Sequence, residues 1–155
     1  MEHIFPDSYP TDLLERIIED GAGNNLFEKV FRVATSGSIN RDTFLSTFEE
    51  SNVDKTTLVN RDLYLQQKNI YDIGDYSVSF YEKRRDAKRI LRLKKRYYDG
   101  PVLITGSILP IHGMSIRTQE SNNLERRTTD SHIDLWKYRD ADLTELFELD
   151  VEEVK

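Results

Sequence analysis

Few residues in this chain combine a reactive type with a useful spacing, and the clearest are His132 and Asp134 in the stretch SHIDLWKY. On an extended strand, residues i and i+2 project to the same side about 7 Å apart, so an imidazole and a carboxylate stand together. Trp136 and Tyr138 continue that side, while Ser131, Ile133, Leu135 and Lys137 take the other. Such a pair suits acid–base work, and the aromatic rings offer a wall for a stacked ligand. Metal ligation needs a third donor, and His112, the one other plausible histidine, has no spacing that ties it to the pair. The ordinary alternative is a half-exposed strand whose amphipathic side chains face water.

A second cluster is electrostatic. From Glu82 to Arg96 the chain carries nine basic residues (Lys83, Arg84, Arg85, Lys88, Arg89, Arg92, Lys94, Lys95 and Arg96) against Glu82 and Asp86, a local +7. The net charge of the whole is −6, so the remainder carries −13. One basic strip lies on an acidic body. It can clamp a phosphate or an acidic protein, or simply be a solvated helix face with alkyl stems laid over apolar neighbours. Nucleic acid is a poor partner, because the acidic body repels phosphates and no aromatic residues interleave the cations as a stacking platform.

Other chemistries are excluded or unsupported. There is no cysteine, so disulfides, thiolate nucleophiles and Cys-ligated metals are ruled out. The Gly-Ser pairs in TSGSI and ITGSI lack the glycine spacing and following lysine of a phosphate loop. Neither a nucleophile elbow nor a zinc-protease or EF-hand pattern occurs, and no metal is expected. The acidic tail DVEEVK reads as a solubilising end. No apolar run reaches a membrane span and no export signal opens the chain, so a cytoplasmic protein without membrane contact is expected.

These residues must be positioned by a single domain of 155 residues. Leu13, Leu14, Ile17 and Ile18 make the apolar stripe of a helix that Gly21 ends. LFEKVFRVAT alternates as a strand, and NRDTFLSTFEES reads as a short helix capped by Asn40 or Asp42. A helical turn is expected at Leu58, Leu63, Tyr64 and Leu65. YDIGDYSVSFYE is a strand with Tyr76, Val78 and Phe80 on one side and Ser77, Ser79 and Tyr81 on the other. The basic segment follows as a helix burying Ala87, Ile90, Leu91 and Tyr98. PVLITGSIL is an interior strand, residues 110–131 form a long polar loop, HIDLWKY is a strand, and FELDVEEV is the last. Mixed elements without a regular βαβ rhythm predict an α+β domain with a mixed, split sheet of five or six strands and two main packing helices.

In that order, LFEKVFRVATSGSINRDTFLST, GDYSVSFYEKRRDAKRI, GPVLITGSI and SHIDLWKYRDADLTELFELDV resemble the successive blocks of ADP-ribosyltransferase-like folds, over about two thirds of the chain. The chain also resembles short proteins of phages of Gram-positive bacteria. The first resemblance implies that NAD or a related nucleotide is the cofactor. It places Arg32 where the nicotinamide ribose or phosphate is gripped, and Tyr76, Ser77 and Ser79 along the nicotinamide pocket, while the strand's own alternation offers Trp136 as a stacking surface for the cofactor. His132 stands where catalytic members carry a glutamate, with Asp134 two residues on. A neutral imidazole keeps a hydrogen bond to the ribose but not the negative charge that stabilises an oxocarbenium-like transition state. The resemblance therefore implies a nucleotide-binding domain with altered or lost chemistry, its catalytic candidates being Arg32, His132 and Asp134. The alternative is a non-enzymatic interaction protein, such as a phage-encoded inhibitor of a host protein, that binds through Arg84, Arg85, Arg89 and Arg92.

Overall fold

The computed structural model describes residues 4–53 and 72–151. Six strands, β1 (Phe27–Ala34), β2 (Val78–Tyr81), β3 (Val102–Ile108), β4 (Gly113–Arg117), β5 (His132–Lys137) and β6 (Phe147–Leu149), build one open sheet in the order β4-β5-β2-β1-β3-β6. Three helices accompany it: α1 (Leu13–Asp20), α2 (Thr47–Val53) and α3 (Arg84–Lys94). This is the α+β class that the element order predicts. The helical turn expected at Leu58, Leu63, Tyr64 and Leu65 lies outside the described residues.

Every strand pairing is antiparallel, which corrects the expectation of a sheet mixed in direction. β2 and β3 do run the same way, joined across one face by α3, but β1 lies between them and hydrogen-bonds both. The shortest pairing in this continuous sheet is between β1 and β2. These strands share one register pair, Phe31↔Tyr81, and part beyond it.

One face of the sheet is a continuous apolar layer in which Val30, Ala34, Val78, Phe80, Ile104, Ile133 and Leu135 meet Phe44, Leu143 and Phe147. The other face carries two separate patches. Leu13 and Ile17 of α1 pack with Tyr9, Tyr76, Met114, Ile116 and Trp136, while Ala87 and Leu91 of α3 pack on Phe31, Val33 and Leu103. Between these patches the strands carry the polar side chains of Ser77, Ser79, His132 and Asp134.

The segment from 110 to 131 is not a single long loop. It contains β4, whose Met114 and Ile116 pair with Trp136 and Asp134 across from β5. Five residues at a sheet edge, framed by polar neighbours, leave little periodic signal. The rest is strapped down: Asn122 donates to the Glu19 carbonyl at 2.8 Å, and Ser121 donates to the Asp20 carboxylate at 2.6 Å. Because β4 covers one edge of β5 and β2 the other, His132–Lys137 is an interior strand without a wet side. Gly113 makes the tight pairing with β5 possible, since a Cβ there would run into the Trp136 carbonyl. Gly113→Ala is expected to cost about 1–3 kcal/mol, as overpacked sites do, read as a lower urea midpoint. An unchanged midpoint would contradict the close register of β4 on β5.

Candidate functional site

Where β1 and β2 part, the missing ladder is replaced by one side chain. Arg32 reaches across the seam and donates from Nη1 to the Ser79 carbonyl at 2.7 Å and from Nε to the Thr43 carbonyl at 2.8 Å. Its Nη2 makes longer contacts, 3.3 Å to the Leu45 carbonyl and 3.4 Å to Glu50 Oε1. A guanidinium suits this because its planar fork serves several acceptors at once. Burial draws its pKa below the ordinary value, with Glu50 opposing. Arg32 is therefore first a staple of the seam.

Above the seam lies a cleft of about 380 Å³. Arg32, Ser77 and Ser79 line it at the parted strands, Thr47 and Glu50 from α2, and Tyr81, Lys94 and Tyr97 on the α3 side. Val33, Leu45, Ile90 and Leu93 give it an apolar wall. Volume and mixed lining fall within the range of small-molecule sites. Glu50, Lys94 and Tyr97 were not singled out by sequence reasoning. Tyr97 is 78% exposed, and burial together with nearby Asp130 pushes the Tyr81 hydroxyl up to about 12, so it remains a donor.

Behind Ser79 runs a chain of polar side chains. The Ser79 hydroxyl lies 2.8 Å from His132 Nε2, and His132 Nδ1 lies 2.6 Å from Thr118 Oγ1. Thr118 donates to Asp134 Oδ2 at 2.9 Å, and Ser77 donates to Asp134 Oδ1 at 2.6 Å. Arg126 Nη2 donates to the same carboxylate at 2.7 Å and to Asp20 at 3.1 Å. Asp134 and Asp20 are almost fully buried, so Arg126 compensates two charges that water does not reach. Burial pushes the His132 imidazole below its ordinary value, against the pull of Asp134 and Asp130.

The candidates thus separate. Arg32 and His132 converge on Ser79 from opposite sides, with Ser77 and Asp134 adjoining. Two others belong to the core, correcting their assignment to a ligand pocket. Trp136 is fully buried and donates from Nε1 to the Ile73 carbonyl at 2.9 Å. Tyr76 is buried among Tyr9 and Phe48. Tyr138 receives the Asn24 amide at 2.7 Å, and His112 Nδ1 accepts from its own turn, the Leu109 N–H at 2.9 Å. On the basic helix, Arg84 is held by Asp150 at 2.7 Å and Arg89 by Asp130 at 2.9 Å. Asp150 is buried, so that part of the acidic tail is structural and not merely solubilising. Arg85 and Arg92 remain exposed.

Burial also lowers the pKa of His112. As pH falls below the ordinary 6.5, the unfolded chain therefore binds protons that folded His112 and His132 resist. Their contribution to stability is full above that pH and is lost below it. The urea midpoint is expected to drop between about pH 7 and pH 5.5, and less so in His132→Gln. A rising midpoint over that range would contradict the burial of neutral imidazoles.

Among the described residues, no group of three His, Cys, Asp or Glu side chains is placed to hold a metal ion, and no helix is long and apolar enough to cross a membrane. No protein-family model matches the chain, and neither a curated protein nor a solved structure does.

Proposed function

We propose that the seam cleft binds NAD or a related nucleotide, in a domain of ADP-ribosyltransferase-like organisation whose chemistry is altered. The observation that carries this reading is the convergence of Arg32 and His132 on Ser79 beneath one cleft. Lys94 supplies a cation for a phosphate, Tyr81 and Tyr97 supply aromatic surface for a base, and Ser77, Ser79 and Thr47 supply hydroxyls for ribose. His132 brings no negative charge to the transferase glutamate position. The carboxylate that does line the cleft is Glu50, on α2.

Calorimetric titration with NAD and ADP-ribose tests binding, and radiolabel transfer from NAD tests chemistry. Lys94→Glu and Tyr97→Ala are the informative variants, since both side chains stand at the cleft and leave the staple intact. Saturable binding is expected in the wild type and a loss of about tenfold or more in Lys94→Glu, the scale of one charge-assisted contact. Absence of heat with either ligand would remove the nucleotide reading.

A second reading rests on a different place. Lys83, Arg85, Arg89 and Arg92 line a polar recess of about 380 Å³ on α3, and an acidic surface of a host protein would complement it. Since Arg84 and Arg89 are held by Asp150 and Asp130, the charge-reversal test is confined to Arg85→Glu with Arg92→Glu. Loss of a salt-sensitive partner in pull-down supports this reading, and an unchanged biological effect removes it.

A further inference from the structure

We propose that Ser79 is a nucleophile, activated by His132 through a relay that ends on the buried Asp134 carboxylate, and that it accepts the acyl group of carboxylic esters bound in the seam cleft. The inference stands on the relay geometry and does not depend on which nucleotide the cleft takes.

The direction of every proton in the relay follows from its end. Asp134 accepts from Ser77, Thr118 and Arg126. Thr118 has one hydroxyl proton and gives it to Asp134 Oδ2, so toward His132, 2.6 Å away, it can only accept. His132 must then carry its proton on Nδ1. A neutral imidazole has one N–H, so Nε2 is bare and faces the Ser79 hydroxyl at 2.8 Å as a base. The pairing of a nucleophile with a base that a third group holds in one tautomer is the arrangement that activates serine on unrelated folds. Here the third group is a threonine, with the carboxylate one step behind it.

The surroundings fit the chemistry. Ser79 lines the cleft, whereas Thr118 and Asp134 behind it are buried and His132 is half-buried. Ser77 also lines the cleft, but its one hydroxyl proton is committed to Asp134 at 2.6 Å, and no imidazole adjoins it to act as a base. Arg32, whose Nη1 donates to the Ser79 carbonyl at 2.7 Å, lines the same cleft and brings a positive charge to the wall it shares with Ser79. Val33, Leu45, Ile90 and Leu93 offer an apolar wall for an acyl chain. In the step itself, Ser79 Oγ bonds to the ester carbonyl carbon as its proton passes to His132 Nε2. The carbon–oxygen bond to the alcohol then breaks, and the alcohol leaves with that proton. Water, deprotonated in turn by His132, hydrolyses the acyl-serine, releasing the acid and restoring Ser79.

The groups that face His132 and set its titration are Asp134 and Asp130 from its own strand and turn, Arg126 from the strap, Arg32 from β1, and the Tyr81 ring packed 5.3 Å away. Reaction needs the neutral ring, so its rate is flat at higher pH and falls as His132 protonates. The test is covalent labelling of the full chain with an alkyl fluorophosphonate, mapped by mass spectrometry, alongside hydrolysis of p-nitrophenyl acetate. Expected are one label per chain on Ser79, none in Ser79→Ala, and a rate lower by about a hundredfold or more in His132→Gln. In the wild type the labelling rate is expected to decline on acidification with a single midpoint, which needs no variant to fold. No labelling, labelling at another residue, or a rate indifferent to pH across that range would overturn the proposal.

Discussion

Arg126→Ala is expected to cost about 3–5 kcal/mol of folding stability, the range seen when one member of a buried ion pair is removed. The physical reason is the pair of carboxylates it serves. Asp134 lies 2.7 Å away and Asp20 3.1 Å, with side chains 2% and 3% exposed, and the Arg126 side chain is itself 9% exposed. Without the guanidinium, two charges are left in a region that water does not solvate. Ser121, Ser77 and Thr118 still donate to them, so the hydrogen bonds persist while the charge balance does not. For a chain of this length about 3 °C of Tm accompanies each kcal/mol, so a fall of roughly 10 °C is expected in calorimetry. Neutralising the acids together with the arginine, by Asp20→Asn and Asp134→Asn with Arg126→Met, is expected to recover much of that loss. A single-variant cost below about 1 kcal/mol, typical of exposed pairs, would show that this arginine is not compensating buried charge.

Arg32→Ala is expected to be comparably damaging, at about 3 kcal/mol or more, for a different reason. Here the groups left behind are the Thr43, Leu45 and Ser79 carbonyls, each at or near the buried seam between β1 and β2. An unsatisfied buried acceptor costs about 1–3 kcal/mol, and the variant creates more than one. The ring of Phe80, 5.7 Å from the guanidinium carbon, also loses its cation. Arg32→Lys is expected to recover little, because an ammonium is a point donor and cannot span three carbonyls in the plane of a fork. Urea denaturation of both variants reads the result, and a full rescue by lysine would contradict the staple. The same reasoning makes Arg32→Ala a poor probe of ligand binding, since a seam that no longer closes loses the cleft together with the contact.

Much of the scaffold was legible because it rests on local patterns. The stripe Leu13, Ile17 needs only helical spacing, and Val78, Phe80 and Ile133, Leu135 need only alternation. The interior character of β3 followed from apolar residues on both of its faces. What stayed hidden depends on partners far along the chain. SHIDLWKY reads as half wet because His132 and Asp134 are polar, but β4, Thr118 and Arg126 fold over that side and satisfy them. The Asp20 carboxylate looks like an ordinary helix end until Arg126, 106 positions away, is seen to hold it. A lone arginine in a strand carries no sign that its acceptors lie at Thr43, Leu45 and Ser79. Arg84 and Arg89 look like free cations in a basic run, and only the fold brings Asp150 and Asp130 to them. Glu50 and Lys94 were overlooked because each sits in a segment whose composition suits a solvated helix. The one available signal was the amphipathic offset of α3, which turns Ile90, Leu93 and Lys94 toward the cleft.

The central claim is that the parted strands form a ligand site. Its most direct test is an amide chemical-shift map of the isotopically labelled chain titrated with NAD. Shifts are expected to concentrate at residues 32–35, 45–50, 77–81 and 90–97, around the cleft, and to saturate with a single dissociation constant. Shifts that are absent, or that gather on the Arg85 and Arg92 face instead, would contradict it.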